Sequence, residues 1–215
     1  MHPPRFAGGF PGTVAAVLFD MDGTLVDSDA AVDRSWIAWA AEYGVDPALP
    51  LALAPGHPAA DTVAKVLAGR DPETIAAAAA RELALEYEDL ADVVAADGAH
   101  DLLRLLDERG IPWAVVTSAD LRLAKLRLGA AGITAPILVT SDDVARGKPD
   151  PAGYLLAAEC LGVRCERCLV IEDAAPGAAA GRAAGALVAA LKNVPGNIQI
   201  DSLRQIAELI GAQPA

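Results

Sequence analysis

Aromatic residues are scarce in this chain of 215 residues: they make up 4% of it, against 53% for hydrophobic residues as a whole. The core must therefore be built largely from alanine, leucine, valine and isoleucine. Long apolar runs are also missing, and none approaches the ~20 residues that a membrane-spanning helix needs. Residues 1–13 have no long apolar stretch of the kind found in secretory signal peptides. We therefore expect a soluble protein of the cytoplasm.

Basic side chains are also few. The chain has 17 lysine and arginine residues against 29 aspartate and glutamate residues, so its formal net charge is −12. Such a chain repels polyanions and anionic surfaces, so we expect no nucleic-acid or membrane partner. The expected state is a monomer or a weak homo-oligomer. An anionic small-molecule substrate would need a local cation and well-placed basic groups in the site.

Cysteine is limited to three residues that lie close together, Cys160, Cys165 and Cys168. A structural zinc ion would need a fourth ligand, and all three histidines of the chain are far from this cluster in sequence. We therefore interpret the cysteines as buried, reduced thiols of a cytosolic protein.

The stretch at residues 14–28 organises the rest of the chain. Its first six residues are all apolar, which is typical of a strand buried on both faces of a parallel sheet. Asp20 and Asp22 follow, with Gly23 directly after them, and crowded carboxylates repel each other unless a cation shares them. An Asp-x-Asp pair in a loop offers Mg²⁺ one side-chain oxygen and one carbonyl oxygen. An ordinary acidic turn is the plainer alternative.

Residues 30–96 show helical patterns and no convincing strand. Asp29 is the predicted cap of a first helix that ends near residue 44, and residues 45–56 read as a loop. Two further helices are predicted at residues 58–67 and 72–94, each with proline near its first turn.

From residue 97 onward the predicted helices and strands alternate, which indicates a parallel sheet with helices on both faces. The helices cover residues 99–108, 121–131, 150–162, 177–184 and 201–210, and the strands cover residues 113–117, 137–140, 169–171 and 187–191. The predicted fold class is therefore α/β, with a Rossmann-like core of residues 1–29 and 97–215 and an all-helical insertion of residues 30–96. Ligands bind such sheets at the carboxyl ends of the strands.

Polar groups occur at these predicted strand ends. Thr117, Ser118 and Ala119 lie between a strand and a helix, where hydroxyls and free amides suit phosphate, although a simple helix cap is the alternative. Lys148 lies between glycine and proline in a defined loop, where its ammonium can meet a phosphate; taken alone, it could be a solvated surface lysine.

A second acidic pair, Glu172 and Asp173, follows the strand at residues 169–171. Buried twin acids need a cation, for which Mg²⁺ is the best candidate. A solvated acidic turn is the alternative for the pair taken alone.

The run Asp20-Met-Asp-Gly-Thr-Leu-Val-Asp-Ser28 resembles the first motif of the haloacid dehalogenase superfamily, most of whose members transfer phosphoryl groups. The hydroxyls at residues 117–118, Lys148 and the acids at residues 172–173 resemble its later motifs in the expected order. The resemblance implies that Asp20 is the nucleophile that forms an aspartyl-phosphate.

The resemblance implies roles for the other motif residues as well. Asp22 would be the general acid and base. Mg²⁺ would be held by Asp20, the Asp22 carbonyl and Asp173, with Glu172 ligating it or orienting a bound water. The transferring group would be bound by Ser118 (with Thr117), the Ala119 amide and Lys148.

The helical insertion is similar to the small cap of the phosphatase and mutase branch of this superfamily. Asp22 argues against dehalogenation, because dehalogenases generally lack this second aspartate. A Mg²⁺-dependent phosphatase acting on a small phosphorylated sugar or polyol is therefore expected, and a beta-phosphoglucomutase-like isomerase is the alternative. Those mutases usually carry a histidine in the first cap helix, where this chain has Val32.

His57, in a loop bracketed by glycine and proline, is the expected cap contact to a substrate hydroxyl, or else an exposed loop histidine. A non-catalytic regulatory relative would normally have lost Asp20, Asp22 or Lys148, and all three are present.

Overall fold

The structure is a computed structural model that describes residues 5–6 and 14–212. The other residues of the predicted core segments, at 1–4, 7–13 and 213–215, lie outside the described residues. No described helix combines the length and apolar character needed to cross a membrane.

The described residues contain nine strands in two sheets. In chain order they are β1 (Arg5–Phe6), β2 (Ala16–Phe19), β3 (Val26–Asp27), β4 (Val94–Ala95), β5 (Trp113–Val116), β6 (Leu138–Val139), β7 (Cys168–Glu172), β8 (Leu187–Ala190) and β9 (Ile198–Gln199). The large sheet has the order β1-β9-β8-β7-β2-β5-β6. All its neighbouring strands run parallel except β1, which is antiparallel to β9.

The described helices surround the large sheet and fill the insertion. They are α1 (Asp29–Tyr43), α2 (Ala48–Leu53), α3 (Ala59–Val66), α4 (Pro72–Glu88), α5 (Ala99–Glu108), α6 (Leu121–Ala130), α7 (Ala152–Cys160), α8 (Ala175–Ala183) and α9 (Leu203–Gly211). Residues of α5, α6 and α9 share one apolar cluster with the sheet, and residues of α7 and α8 share a second. The predicted α/β class is thus confirmed.

The central strand β2 shows why its sequence is apolar throughout. Val17 and Phe19 belong to one cluster, whereas Ala16 and Leu18 belong to the other, because successive side chains of a strand point to opposite faces. All four are fully buried. The strand lies between β5 and β7, so three polar strand ends meet at one edge of the sheet.

The insertion has an apolar cluster of its own. Its buried members all come from α1 to α4 or the loops between them: Trp36, Trp39, Ala40, Ala54, Val63, Leu67 and Ala78. The short ribbon of β3 and β4 precedes and follows these helices, with Val26 opposite Ala95.

Some boundaries of the insertion differ from the prediction. The expectation of no strand in residues 30–96 was wrong, since β4 pairs with a strand that is remote in sequence. Helix α2 lies inside the predicted loop and buries Pro50. Helix α4 ends at Glu88, and Ser28 rather than Asp29 precedes α1 as its N-cap residue. The Ser28 hydroxyl bonds Asp22 instead of a backbone amide.

The remaining local predictions mostly hold. The strands predicted after residue 97 are all present; β5, β6 and β8 are shorter than predicted and β7 is longer, whereas β1 and β9 were not predicted. All three cysteines are free thiols: Cys165 and Cys168 are buried, but Cys160 is exposed, which corrects the prediction that all three are buried.

Candidate active site

A cavity of about 620 Å³ lies between the carboxyl edge of the sheet and the helices of the insertion. Most of the site residues predicted from the sequence line it, namely Asp20, Asp22, His57, Thr117, Ser118, Ala119 and Asp173. Lys148 and Glu172 are not part of this lining, but both are buried next to Asp20. The structure therefore brings the separate motifs together at one place.

Lys148 is the centre of the buried part of the site. Its Nζ donates to the Asp20 carboxylate, to Glu172 Oε1 at 2.7 Å and to the Val116 carbonyl at 3.1 Å. Three donors thus meet three acceptors, and the ammonium is fixed. With 7% of its surface exposed, Lys148 is not the solvated surface lysine that its loop alone would allow.

Glu172 is fully buried and fully engaged by protein groups. The Tyr154 hydroxyl donates to Glu172 Oε1 at 2.6 Å, and the Asp173 amide donates to Oε2 at 3.2 Å. Gly177 leaves room for this carboxylate, because a Cβ at that position would overlap it. The solvated acidic turn considered for this pair is therefore wrong for Glu172.

The close packing of these charged groups shifts the pKa values of Asp20, Asp173 and Lys148. Burial and the Glu172 charge raise the pKa of Asp20 well above its usual range, although Lys148 opposes them. Burial likewise raises the pKa of Asp173, against the opposing effect of Lys192. Burial alone would lower the pKa of Lys148, but Asp20 and Glu172 outweigh it and raise that pKa. Lys148 therefore stays charged, while the carboxylates need more positive charge than they have.

The same acids fit a divalent cation. Asp20, Glu172 and Asp173 each offer one carboxylate oxygen, and these oxygens all lie within 4.8 Å of one another. Hard oxygen donors at this spacing suit Mg²⁺. The Asp22 carboxylate is outside this group, because it is engaged elsewhere.

Asp22 is held by two side chains. The Ser28 hydroxyl donates to Asp22 Oδ1 at 2.7 Å, and Arg127 Nη1 lies 3.0 Å from the same oxygen. Arg127 comes from α6, and its Nη2 lies 3.3 Å from Glu86 Oε1 on α4. Arg127 was not predicted from the sequence, since no motif surrounds it and a basic residue on a helix is usually solvated.

Lys192 was also missed. Its Nζ pairs with Asp29 at 2.6 Å and with Asp173 at 2.9 Å, and it lines the cavity. Lys192 and Asn193 both have positive φ, at 50° and 59°, a backbone conformation that non-glycine residues adopt uncommonly. In the sequence, the one signal for this conformation is the polar Lys-Asn pair directly after the apolar residues 187–191.

The loop after β5 at residues 117–119, here called the hydroxyl loop, does not cap helix α6. Asp120 is the N-cap residue, and its carboxylate accepts from the Leu123 amide at 2.8 Å. The simple-cap alternative for Thr117 and Ser118 is therefore wrong. Thr117 Oγ1 accepts from the Ala119 amide at 3.1 Å, so that amide is locally engaged.

The insertion reaches this loop directly. Ser118 Oγ donates to the Gly56 carbonyl at 3.0 Å. In the same loop of the insertion, His57 Nδ1 lies 3.2 Å from the Pro55 carbonyl, and His57 lines the cavity. His57 is thus next to the cavity that the motif residues line.

Clustered acids and a buried lysine at the carboxyl edge of a parallel α/β sheet fit a hydrolase site for an anionic substrate. The sequence model of the haloacid dehalogenase-like hydrolases matches residues 14–185. The chain belongs to this family.

Individual relatives agree with this assignment. The chain is 43% identical over 179 residues to hexitol phosphatase A of Escherichia coli, covering 83% of this chain and 82% of that protein. A solved hydrolase from Pseudomonas syringae superposes with a TM-score of 0.76 at 26% identity, covering 83% and 84% of the two chains. A beta-phosphoglucomutase from Clostridium difficile has a TM-score of 0.78 at 19% identity, covering 93% and 98%, which shows a shared fold alone.

Proposed function

We propose that this hydrolase is a Mg²⁺-dependent phosphatase that forms an aspartyl-phosphate and acts on a small phosphorylated sugar or polyol. The observation that carries the proposal is the meeting of Asp20, Asp22 and the hydroxyl loop in one cavity above a buried lysine. Phosphoryl transfer depends mainly on positioning and on neutralising the phosphoryl oxygens, and these groups supply both.

In this mechanism Asp20 attacks phosphorus and becomes the phosphorylated residue. Asp22 gives a proton to the leaving alkoxide and then takes one from the attacking water. Lys148 holds the nucleophile and offsets its repulsion from the anionic ester. Ser118, with Thr117 and the Ala119 amide, binds the transferring group, for which the amide must exchange its bond to Thr117.

Asp20, Asp173 and the Asp22 carbonyl would hold the metal ion. The ion would supply charge neutralisation for the phosphoryl oxygens when bound. Glu172 would act mainly by orienting a bound water, because its two oxygens already accept from Lys148, Tyr154 and the Asp173 amide.

Residues 30–96 would form a cap that closes over the core of residues 1–29 and 97–215. The separate apolar cluster of α1 to α4 supports such a unit, and the short β3–β4 ribbon would link it to the core. The cap would exclude water and read the leaving group through His57. The cavity is large enough for a hexitol phosphate, the kind of substrate that the name of the Escherichia coli relative indicates.

The mutase alternative has less support. Val32 lines the cavity where the related mutases usually carry a histidine, so no imidazole is available at this position.

The three free thiols fit a reducing compartment, which supports the proposed cytoplasmic location.

A panel of sugar, polyol and aryl phosphates assayed for released phosphate tests this function. We expect phosphate release with Mg²⁺ for wild type and a loss of several orders of magnitude for Asp20→Asn. Isomerisation of a hexose 1-phosphate without phosphate release would favour the mutase. Residual Asp20→Asn activity above about 1% of wild type would contradict a covalent intermediate, because removing a nucleophile costs far more.

A further inference from the structure

Arg127 is a buried basic residue that the mechanism above does not use. Only 3% of its surface is exposed, although it lines the cavity beside the proposed proton donor Asp22. Burial alone would lower its pKa, but the carboxylates of Asp22 and Glu86 outweigh burial and raise it. Arg127 is therefore a permanent cation between two acids.

The two acids belong to different parts of the chain. Asp22 follows the central strand, whereas Glu86 lies on α4 in the insertion, and Arg127 itself lies on α6 in the core. One guanidinium thus contacts the proposed acid with Nη1 and the insertion with Nη2. Its rigid fork fixes the two contacts relative to each other, which a lysine ammonium could not do.

A purely structural ion pair would be expected to have all its donors satisfied. Arg127 Nε is buried and has no hydrogen-bond partner among the described residues. Incompletely satisfied buried networks are poor stabilisers. A buried ion pair of this kind is therefore weak evidence for stabilisation alone.

The packing of α4 on α6 does not depend on Arg127 alone. The Tyr87 hydroxyl donates to Asp120 at 2.5 Å, and the Arg122 guanidinium lies 4.1 Å from the centre of the Tyr87 ring. Replacing Arg127 therefore leaves other contacts between these helices, and variants can be compared in folded protein.

We propose that Arg127 is a positioning residue that holds Asp22 through Oδ1, so that the other carboxyl oxygen, Oδ2, carries the proton that passes to the leaving group, and that Glu86 makes this positioning depend on the placement of α4. The inference rests on the proposed function, since it takes Asp22 as the proton donor. It assigns Arg127 no contact with the substrate.

The test compares leaving groups. An alkyl phosphate needs a proton on its leaving oxygen, whereas p-nitrophenyl phosphate has a good leaving group and needs little help. The ratio of kcat/KM for these two substrates reports proton donation in the first chemical step. Because it is a ratio, it does not depend on the amount of folded enzyme. The alkyl substrate is the one that wild type hydrolyses best in the phosphate panel.

Arg127→Gln should lower kcat/KM for the alkyl phosphate about 100-fold, the lower end of general-acid contributions, and change that for the aryl ester less than about threefold. Arg127→Lys should recover part of the loss, and Glu86→Gln should shift the ratio in the same direction by about tenfold or less. Arg81→Gln is the matched control, because the ion pair of Arg81 with the exposed Glu42 lies within the insertion. It should leave both values unchanged.

An unchanged ratio in Arg127→Gln, or an equal fall for both substrates, would overturn the inference. If Arg127→Gln does not fold, Arg127→Lys and Glu86→Gln decide, and an unchanged ratio in both is the contrary result. Asp22→Asn separates this from failure of the proposed function. A changed ratio in Asp22→Asn with none in the Arg127 variants refutes only the Arg127 role, whereas an unchanged ratio in Asp22→Asn refutes Asp22 as the proton donor.

Discussion

Glu82 is fully buried on α4, one turn before Glu86, and it provides a quantitative test of the structure. Burial raises the pKa of Glu82 to about 8, although the Ser35 hydroxyl 2.8 Å away opposes this. The Ser35 Oγ also lies 2.8 Å from the Val32 carbonyl, and its single proton cannot serve both acceptors. A protonated Glu82 that donates to Ser35 leaves the Ser35 proton for Val32, so we expect neutral Glu82 at pH 7.

The size of the effect follows from linkage. The ordinary pKa of this side chain is 4.5, so between pH 4.5 and about 8 the folded state binds a proton that the unfolded chain has released. The stability contributed by Glu82 is therefore fully present below pH 4.5 and is lost as pH rises to about 8. At about 1.4 kcal/mol per pH unit, the loss is about 5 kcal/mol over the full window and about 3 kcal/mol above pH 6.

Urea unfolding at pH 6 and pH 9, followed by circular dichroism, measures this loss. Glu82→Gln cannot ionise, so its free energy of unfolding should fall by about 3 kcal/mol less than that of wild type between the two pH values. Glu88→Gln, at the exposed end of the same helix, is the control and should follow wild type. Burial also raises the pKa of Glu86, which is present in all three proteins, and the Glu86 charge contributes to the raised pKa of Glu82. Equal pH dependence in wild type and Glu82→Gln would show that Glu82 is ionised in the folded protein.

Three further predictions concern the site. Gly177→Ala should displace the Glu172 carboxylate, lowering activity strongly and stability by about 1–3 kcal/mol, as overpacking does; Gly129→Ala, on α6 with open space around it, should do neither in the same phosphatase and unfolding assays. Chelation with EDTA should abolish phosphate release and Mg²⁺ should restore it, whereas Ca²⁺, which takes more ligands, should inhibit; full activity in EDTA would contradict the metal assignment. His57→Ala should raise KM for the preferred sugar or polyol phosphate about tenfold, the equivalent of one hydrogen bond, and hardly change hydrolysis of p-nitrophenyl phosphate; an equal loss for both substrates would place His57 in support of the core instead.

The parts of the fold that sequence could predict are those whose cause is local. The apolar run before Asp20 is long enough to indicate a strand buried on both faces, and Gly and Pro mark most helix ends. The ribbon of β3 and β4 could not be predicted, because each strand has two residues and its partner is about 70 positions away along the chain. Helix α2 was not predicted, because its sequence contains Pro50. In the structure this proline is buried within the helix.

The same distinction applies to the site. Asp20 and Asp22 follow β2 and Glu172 is the last residue of β7, so parallel topology alone places them at one edge, and Lys148 stands in the loop between β6 and α7. Arg127 and Tyr154 stand inside helices, where only the rotation of the helix decides whether a side chain faces the site or solvent. Whether these two side chains face the site depends on how α6 and α7 pack. Hydrophobic periodicity in the sequence does not specify that packing to within one residue.

Charge balance explains how such an acidic chain can bind an anionic ester. Each of the three basic groups at the site is shared by two acids: Lys148 by Asp20 and Glu172, Lys192 by Asp29 and Asp173, and Arg127 by Asp22 and Glu86. With every group ionised, each such trio carries one net negative charge. Basic side chains alone therefore leave the edge of the sheet repulsive to phosphate, and the clustered oxygens of Asp20, Glu172 and Asp173 favour a divalent cation at the same place. Binding of the anionic substrate should accordingly depend on prior binding of the cation, because that cation removes most of the negative charge which the three basic groups leave uncompensated.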